Sequence, residues 1–136
     1  NQKEGSNELM IVTNPNCKNC ASVHRHMVEI ASSVPVSLVL VTFPNDRLGE
    51  EIAQIIIAAY YVVGWDRAIE LLGEWYENRH MEDAGIYSIT AEGRDVWTKQ
   101  QIYCREQKIS KTPSVIVNKH YVPEVYPLSD LRYVLT

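Results

Sequence analysis

The sequence predicts a single α/β domain in which an all-helical insertion separates an N-terminal βαβ half from a C-terminal ββα half. Two short apolar runs, at residues 9–13 and 36–43, flank a segment with helical periodicity. A long stretch with the same periodicity follows, and β-branched residues return at 114–117. A chain of 136 residues has the usual length of one domain and can bury a core without disulfide bonds.

The N-terminal half is predicted to form a strand, a helix and a second strand. Residues 9–13 (LMIVT) are mostly apolar or β-branched, which suits a strand buried on both faces. The Asn-Pro-Asn turn at 14–16 ends this strand, and Asn16 is the expected N-cap of a helix over 17–33. The near-continuous apolar run at 36–43 (VSLVLVTF) predicts a central parallel strand.

The predicted insertion spans residues 46–108 and contains three helices. Apolar residues recur at helical spacing over 48–63 and 66–78, and Asp66 is the expected cap of the second helix. A third helix is predicted over 95–107. Most aromatic side chains of the insertion stand at spacings typical of a core.

The C-terminal half returns to β structure. The sequence SVIV at 114–117 predicts a strand, and a turn then leads to a short strand around 121–122. A final helix is predicted over 128–135. The core of the domain is therefore expected to comprise residues 8–45 and 109–136.

Composition excludes several classes of function. The 13 basic and 17 acidic residues give a net charge of −4, which argues against a nucleic-acid-binding surface. The sequence has no Gly-rich phosphate loop, no GxSxG and no HExxH motif, so nucleotide binding and hydrolase chemistry lack support.

No apolar run reaches the roughly 20 residues of a membrane span. Because the chain begins at Asn1 rather than Met, we expect a processed protein or a domain excised from a membrane-attached protein.

The motif with the clearest chemistry is Cys17-Lys18-Asn19-Cys20. Residues three apart share one face of a helix, so the two sulfurs can approach disulfide distance. Cys17 is placed at the helix N-terminus, where unpaired amides favour a thiolate, and Lys18 adds a positive charge. Cys20 lies one turn inside the helix and should be more buried. The pattern predicts thiol–disulfide chemistry in which Cys17 attacks and Cys20 resolves the mixed disulfide.

Two other interpretations of the cysteines stay open at this point. The pair could be half of a zinc site, completed by Cys104 and by His24 or His26, in a zinc-stabilised binding module. It could also be a structural disulfide in a partner-binding module without redox turnover. Cys104 alone is predicted to be a small buried residue, with an auxiliary exchanging thiol as the alternative. His24 is predicted to be a hydrogen-bonded core histidine.

A Thr112-Pro113 pair precedes the third predicted strand. Together with the strand, the CxxC helix, the second strand and the terminal helix, this pair makes the chain resemble the thioredoxin superfamily. The helical insertion is similar to that of the DsbA-like branch. The resemblance covers residues 9–135. From residue 109 onward, the sequence ISKTPSVIVNKHYVPEVYPLSDLRYVL is similar to bacterial thioredoxin-like domains, some of them fused to vitamin K epoxide reductase homologues.

The resemblance implies a role for each site residue. Cys17 matches the nucleophile and Cys20 the resolving cysteine. Pro113 matches a cis-proline beside the CxxC motif, and Thr112 matches the residue whose backbone pairs with an extended substrate. No cofactor is implied beyond a redox-active Cys17–Cys20 disulfide.

The resemblance also implies partners and a compartment. The expected partners are protein substrates with thiols or disulfides, together with a membrane redox partner of the vitamin K epoxide reductase type. No nucleic acid is expected. The resemblance favours oxidation of substrate dithiols in an extracytoplasmic compartment, the bacterial periplasm.

Two features depart from the family pattern. The Lys18-Asn19 dipeptide is neither the Gly-Pro of typical thioredoxins nor the Pro-His of typical DsbA proteins. Ile11 stands six residues before the first cysteine, where many family members have a buried acid. The proton acceptor for Cys20 is therefore unassigned, and Glu8 is a distant candidate.

Overall fold

The predicted N-terminal strand–helix–strand unit is present. In the computed structural model, which describes residues 8–82 and 84–121, strand β1 (Leu9–Thr13) leads into helix α1 (Lys18–Ala31). Strand β2 (Val36–Leu40) follows and pairs in parallel with β1, as a βαβ unit requires.

Strand β1 lies inside a four-stranded sheet with the order β2-β1-β3-β4. Strand β3 (Ser114–Val117) pairs antiparallel with β1, and β4 (His120–Tyr121) forms a hairpin with β3. In this register Val12 is the partner of Ser114. The end of β1, where the cysteine motif begins, therefore lies beside the Thr-Pro pair that precedes β3.

In the part of the chain that the structure describes, strand β2 lies at the edge of the sheet, and the prediction of a central strand was wrong. The strand also ends at Leu40, three residues earlier than predicted. Helical side chains, rather than another described strand, bond to the end of its outer edge. The Leu40 N–H donates to Gln100 (3.0 Å) and the Thr42 N–H to Gln101 (3.1 Å), while Gln101 donates to the Leu40 carbonyl (2.8 Å). These bonds satisfy both backbone groups of Leu40, the last residue of the strand.

Three longer helices lie between β2 and β3, as predicted. They are α2 (Arg47–Val63), α3 (Trp65–Asn78) and α4 (Ala91–Glu106), and a short 3₁₀ turn (Ala84–Ile86) precedes α4. The largest apolar cluster forms mainly among these helices. Its buried members are Leu40, Ile52, Ala53, Ile56, Ile57, Ala58, Ala59, Ala68, Leu71, Leu72, Trp75, Met81 and Tyr87.

All three helices begin earlier than predicted, α2 by one residue. Helix α4 begins at Ala91 because the Thr90 hydroxyl accepts a hydrogen bond from the Gly93 N–H (2.9 Å) and caps it. Helix α3 begins at Trp65, so Asp66 lies in its first turn and is not the cap. The cap is Gly64, which also ends α2 and has a φ of 92°, a conformation that favours glycine.

The two faces of the sheet carry different helices. Leu9 and Ile11 of β1 pack with Met27 and Ile30 of α1 on one face. Val12, which follows Ile11 and lies on the opposite side of the strand, belongs to a second cluster that contains α4 residues. The helices α1 and α4 therefore cover opposite faces of β1.

The predicted helix over 128–135 lies outside the described residues, as does Val122. None of the helices in the described ranges is long and apolar enough to cross a membrane.

Candidate active site

The turn between β1 and α1 sets the position of the cysteine motif. The Asn14 side chain accepts a hydrogen bond from the Asn16 N–H (2.9 Å), and the Asn14 carbonyl accepts one from the Cys17 N–H (3.1 Å). Cys17 is therefore the N-cap of α1, with extended backbone and no side-chain cap, and the prediction of Asn16 was wrong. The Asn16 amide instead donates to both carboxylate oxygens of Asp46 (2.9 and 2.8 Å).

The structure brings the predicted site residues together. The half-buried Cys17 thiol donates to the carbonyl of Thr112 at 3.5 Å. The Thr112–Pro113 peptide bond is cis. The first cysteine of the motif thus contacts a residue 95 positions away, at the entry to β3.

The Cys17 thiol is more acidic than an ordinary cysteine. Burial by itself opposes ionisation, but hydrogen bonds from the side chains of Thr112 and Cys20 and from the backbone of Cys20 and Asn19 outweigh it. The pKa of Cys17 is therefore lowered. The Lys18 ammonium, which is exposed, is not among the dominant causes, so helix-end hydrogen bonding rather than this charge favours the thiolate.

Cys20 has the opposite character. Its side chain is fully buried, and burial, reinforced by the proximity of Cys17, raises its pKa to about 11. Hydrogen bonds from Thr13 and from the backbone of Asn14 (3.4 Å to the sulfur) offset part of that rise. At neutral pH this thiol is protonated, whereas the neighbouring Cys17 ionises readily.

A tyrosine from the insertion reaches this site. The Tyr76 hydroxyl lies 2.8 Å from the Thr13 hydroxyl and donates to the Asn14 carbonyl (3.0 Å). Burial raises the pKa of Tyr76, so its proton is retained. Its sequence position suggested only a core aromatic, and no local signal connects it with the cysteine motif.

Neither of the two positions considered from the sequence, residues 8 and 11, supplies an acidic partner for Cys20. Ile11 packs in the α1-side cluster, almost fully buried. Glu8 is exposed, and its backbone pairs with Asn118 at the start of β1, the end of the strand away from the cysteines. The suggestion of Glu8 was therefore wrong.

Three side chains of the helical insertion hydrogen-bond to the turn. The Trp75 indole N–H donates to the Pro15 carbonyl (2.9 Å), and Tyr76, its neighbour on α3, bonds to Asn14. Asp46, which caps α2 by accepting from the Gly49 N–H (2.9 Å), also receives the Asn16 amide. Side chains of the insertion therefore contact all three residues of the turn.

The remaining candidates lie apart from the motif. Cys104 is buried among apolar residues of the α4-side cluster, on the opposite face of the sheet from α1, and burial raises its pKa. His24 is buried on α1, donates from Nε2 to the Ile69 carbonyl (3.1 Å) and has a pKa lowered by burial. Within the described residues, no three His, Cys, Asp or Glu side chains are grouped to hold a metal ion.

Comparison with solved structures identifies the class of fold. A candidate protein-disulfide isomerase from Pseudomonas syringae superposes with a TM-score of 0.78 at 14% identity, over 97% of this chain and 94% of that one. A periplasmic thioredoxin-like protein from Salmonella enterica serovar Typhimurium gives 0.73 at 16% identity, over 95% and 82%. Reduced DsbA1 from Neisseria meningitidis gives 0.73 at 16% identity, over 99% and 83%.

The chain therefore has a DsbA-like thioredoxin fold, as its sequence predicts. No protein-family model matches it, and no curated protein matches it by sequence. At this level of identity the likeness concerns the fold alone, and the chemistry depends on the geometry of the site.

Proposed function

We propose that this protein is a thiol–disulfide oxidoreductase in which Cys17 is the attacking cysteine and Cys20 the resolving one. The observation that carries the proposal is the contrast between the two thiols. Cys17 is half-buried with a lowered pKa, whereas Cys20 is fully buried with a raised pKa. This arrangement suits exchange because the accessible thiol ionises more readily than an ordinary cysteine and the protected one reacts only within the protein.

In the oxidising direction, a substrate thiolate attacks Cys17 of the Cys17–Cys20 disulfide. The Cys17–Cys20 bond breaks, Cys20 leaves as a thiolate and takes up a proton, and substrate and Cys17 form a mixed disulfide. A second substrate thiolate then attacks the substrate sulfur, which releases the Cys17 thiolate. The substrate loses two electrons and the cysteine pair gains them.

The direction follows from the acidity of Cys17. Stabilising its thiolate stabilises the reduced pair, which makes the oxidised pair a better oxidant. We therefore propose that the protein oxidises substrate dithiols.

Substrate binding is assigned to the residues before β3. Thr112 has a backbone that can pair with an extended peptide, and its carbonyl already faces the Cys17 sulfur. Pro113 holds this segment beside the motif. A substrate cysteine bound here would present its sulfur to Cys17.

An oxidising compartment fits this activity, because disulfides persist outside the cytoplasm. One solved structure with this fold is of a periplasmic protein. We propose an extracytoplasmic, periplasmic location. Each cycle leaves the cysteine pair reduced, so an external oxidant must restore the disulfide, and a membrane protein of the vitamin K epoxide reductase type is the proposed partner.

Redox equilibration tests both chemistry and direction. Purified protein is equilibrated in glutathione buffers of graded composition, and its Cys17–Cys20 disulfide is quantified after acid quenching and alkylation. We expect a two-electron transition at a potential less negative than roughly −200 mV, above the reducing range of thioredoxin. A value below about −270 mV contradicts the oxidising direction, and no disulfide at any ratio contradicts the activity.

Variants in which one cysteine is replaced complete the test. Cys17→Ser is expected to abolish oxidation of a dithiol peptide, and Cys104→Ala, which changes a residue remote from the site, is the matched control and should retain it.

A further inference from the structure

Resolution of a mixed disulfide requires the Cys20 thiol to ionise, and its buried surroundings oppose ionisation. Its thiol has to lose a proton before its sulfur can attack, yet the side chain is fully buried. In the described parts of the chain, the groups that act on Cys20 are Cys17, the Thr13 side chain and the Asn14 backbone, and none of them is a carboxylate. Among the described residues, the groups that can stabilise its thiolate are therefore hydrogen-bond donors.

Two hydroxyl groups are placed to act in series on Cys20. The almost fully buried Thr13 side chain acts on Cys20 in the direction that lowers its pKa, and the N–H of the next residue, Asn14, donates to the Cys20 sulfur (3.4 Å). The Thr13 hydroxyl is 2.8 Å from that of Tyr76. The Tyr76 hydroxyl also reaches the Asn14 carbonyl at 3.0 Å. Either oxygen of the Thr13–Tyr76 pair can be the donor, so the chain of hydrogen bonds can run in both directions.

We propose that Thr13 and Tyr76 form a reversible hydroxyl pair that accepts from the Cys20 thiol and donates to its thiolate. With the thiol protonated, Cys20 donates to Thr13, Thr13 donates to Tyr76, and Tyr76 donates to the Asn14 carbonyl. With the thiolate present, Tyr76 turns to donate to Thr13, and Thr13 donates to the sulfur. This inference rests on the proposed function and assigns Tyr76 as a positioning residue that acts through Thr13.

The chemical step balances without a protein base. Cys20 gives its proton to solvent, and its thiolate attacks the Cys17 sulfur of the mixed disulfide. The Cys17–Cys20 bond forms, the bond from Cys17 to the other partner breaks, and that partner leaves as a thiolate. The hydroxyl pair supplies charge-assisted hydrogen bonds while the negative charge is on Cys20.

The ionisable groups around the pair are few. Cys17 acts on both Cys20 and Tyr76, and the His24 ring packs against the Tyr76 ring with centroids 5.4 Å apart. His24 is itself kept neutral by burial, and Glu77 acts on His24 rather than on Cys20. Among the described residues, no carboxylate acts on Cys20.

The experiment separates attack from resolution in one reaction. Reduced protein carrying Cys104→Ala is mixed in a stopped-flow instrument with the aromatic disulfide dithiobis(nitrobenzoate). Attack by Cys17 releases a first nitrothiobenzoate, and attack by Cys20 on the resulting mixed disulfide releases the second. Both rates are followed across the pH range in four variants: Tyr76→Phe, Thr13→Val, Thr13→Ser and the control Tyr61→Phe, which removes an exposed hydroxyl.

We expect Tyr76→Phe and Thr13→Val to slow the second phase about tenfold at neutral pH, the usual worth of a hydrogen bond to an ionised group. Both should also shift the pH dependence of that phase upward. Thr13→Ser, which keeps the hydroxyl, and Tyr61→Phe should remain within about twofold of the parent. The first phase should change little in any variant.

Two results would overturn the inference. One is a second phase in Tyr76→Phe that matches the parent at every pH. The other is an equal slowing of both phases, or a Thr13→Ser variant as slow as Thr13→Val, which would indicate general damage to the site. A first phase no faster than that of an unperturbed thiol would instead contradict the proposed function, so the two failures are distinguishable.

Discussion

Cys17 and Cys20 are three residues apart, and their pKa values are shifted in opposite directions. The difference arises from position within one helical turn: Cys17 stands at the N-cap, where backbone N–H groups are free to stabilise a thiolate, and Cys20 is inside the helix and buried. Thr112, which contacts Cys17 from β3's entry, adds a hydrogen bond of its own. The same sequence motif in an interior position would lack this asymmetry.

The Thr112 side chain offers a direct test at this scale. Thr112→Val removes the hydroxyl while keeping the shape and the backbone carbonyl, so the pKa of Cys17 should rise and its alkylation at neutral pH should slow several-fold. Thr112→Ser should restore the rate, and Thr98→Val, an exposed threonine on α4, serves as control. Equal alkylation profiles for Thr112→Val and the parent would contradict the role assigned to this hydroxyl.

The burial of the two motif cysteines was predictable because local sequence defines it. A CxxC motif after a strand and at a helix start was sufficient to place Cys17 as accessible and Cys20 as buried. The hydroxyl pair was not predictable, because Thr13 and Tyr76 are 63 positions apart and meet only when α3 packs beside α1. An aromatic residue at helical spacing gives no sign that its hydroxyl reaches the distant Thr13 hydroxyl and Asn14 carbonyl.

The insertion does more than enlarge the core. Helices α2 and α3 both bond to the β1–α1 turn, through Asp46 in one case and through Trp75 and Tyr76 in the other. The turn contains Pro15 and backbone groups that its own helix cannot satisfy. The insertion therefore fixes the position from which Cys17 acts.

Asp46 is the point at which this support can be removed. Asp46→Ala deletes the cap of α2 and leaves the Asn16 amide without its acceptor, so we expect the free energy of unfolding to fall by about 2 kcal/mol. Urea unfolding measures this change. Asp95→Ala removes an exposed carboxylate paired with Lys99, and this matched control should cost less than about 0.5 kcal/mol. Equal effects of the two substitutions would show that Asp46 is an ordinary surface residue.

Elements were predictable in kind and order, but not always in position. The helices of the insertion follow from apolar periodicity, and the start of α4 was missed because the Thr90 cap lies before the first apolar residue of the pattern. Strand β2, predicted at the centre, lies at the edge of the described sheet, and the end of its outer edge bonds to Gln100 and Gln101, two polar residues about 60 positions away. Apolar character reports burial and does not identify what provides it.

The whole molecule couples its folding to its redox state through the two thiols. In the reduced form the pKa of Cys17 is lowered by folding, so this thiol contributes stability that grows as pH rises toward its unfolded value of 9.0. The pKa of Cys20 is raised to about 11, so its contribution is fully present below pH 9.0 and is lost as pH rises toward 11. The disulfide form has neither contribution.

The difference in unfolding free energy between the reduced and oxidised forms should therefore rise from neutral pH, reach a maximum near pH 9, and fall again toward pH 11. Urea unfolding of both forms at each pH provides the measurement. Groups on which neither Cys17 nor Cys20 acts, among them His24 and Cys104, cancel in the difference. The double variant Cys17→Ala/Cys20→Ala should show no dependence on reductant, and a difference that is constant with pH would refute the assigned acidities.

The central claim is that Cys17 attacks and Cys20 resolves, and trapping of the mixed disulfide tests it most directly. Reduced Cys20→Ser, Cys17→Ser and parent proteins are mixed with a disulfide-containing unfolded protein, quenched in acid and analysed by peptide mass mapping. We expect a stable one-to-one adduct through Cys17 in Cys20→Ser, no adduct in Cys17→Ser, and only a transient adduct in the parent. An adduct through Cys104, or equal trapping by the two variants, would contradict it.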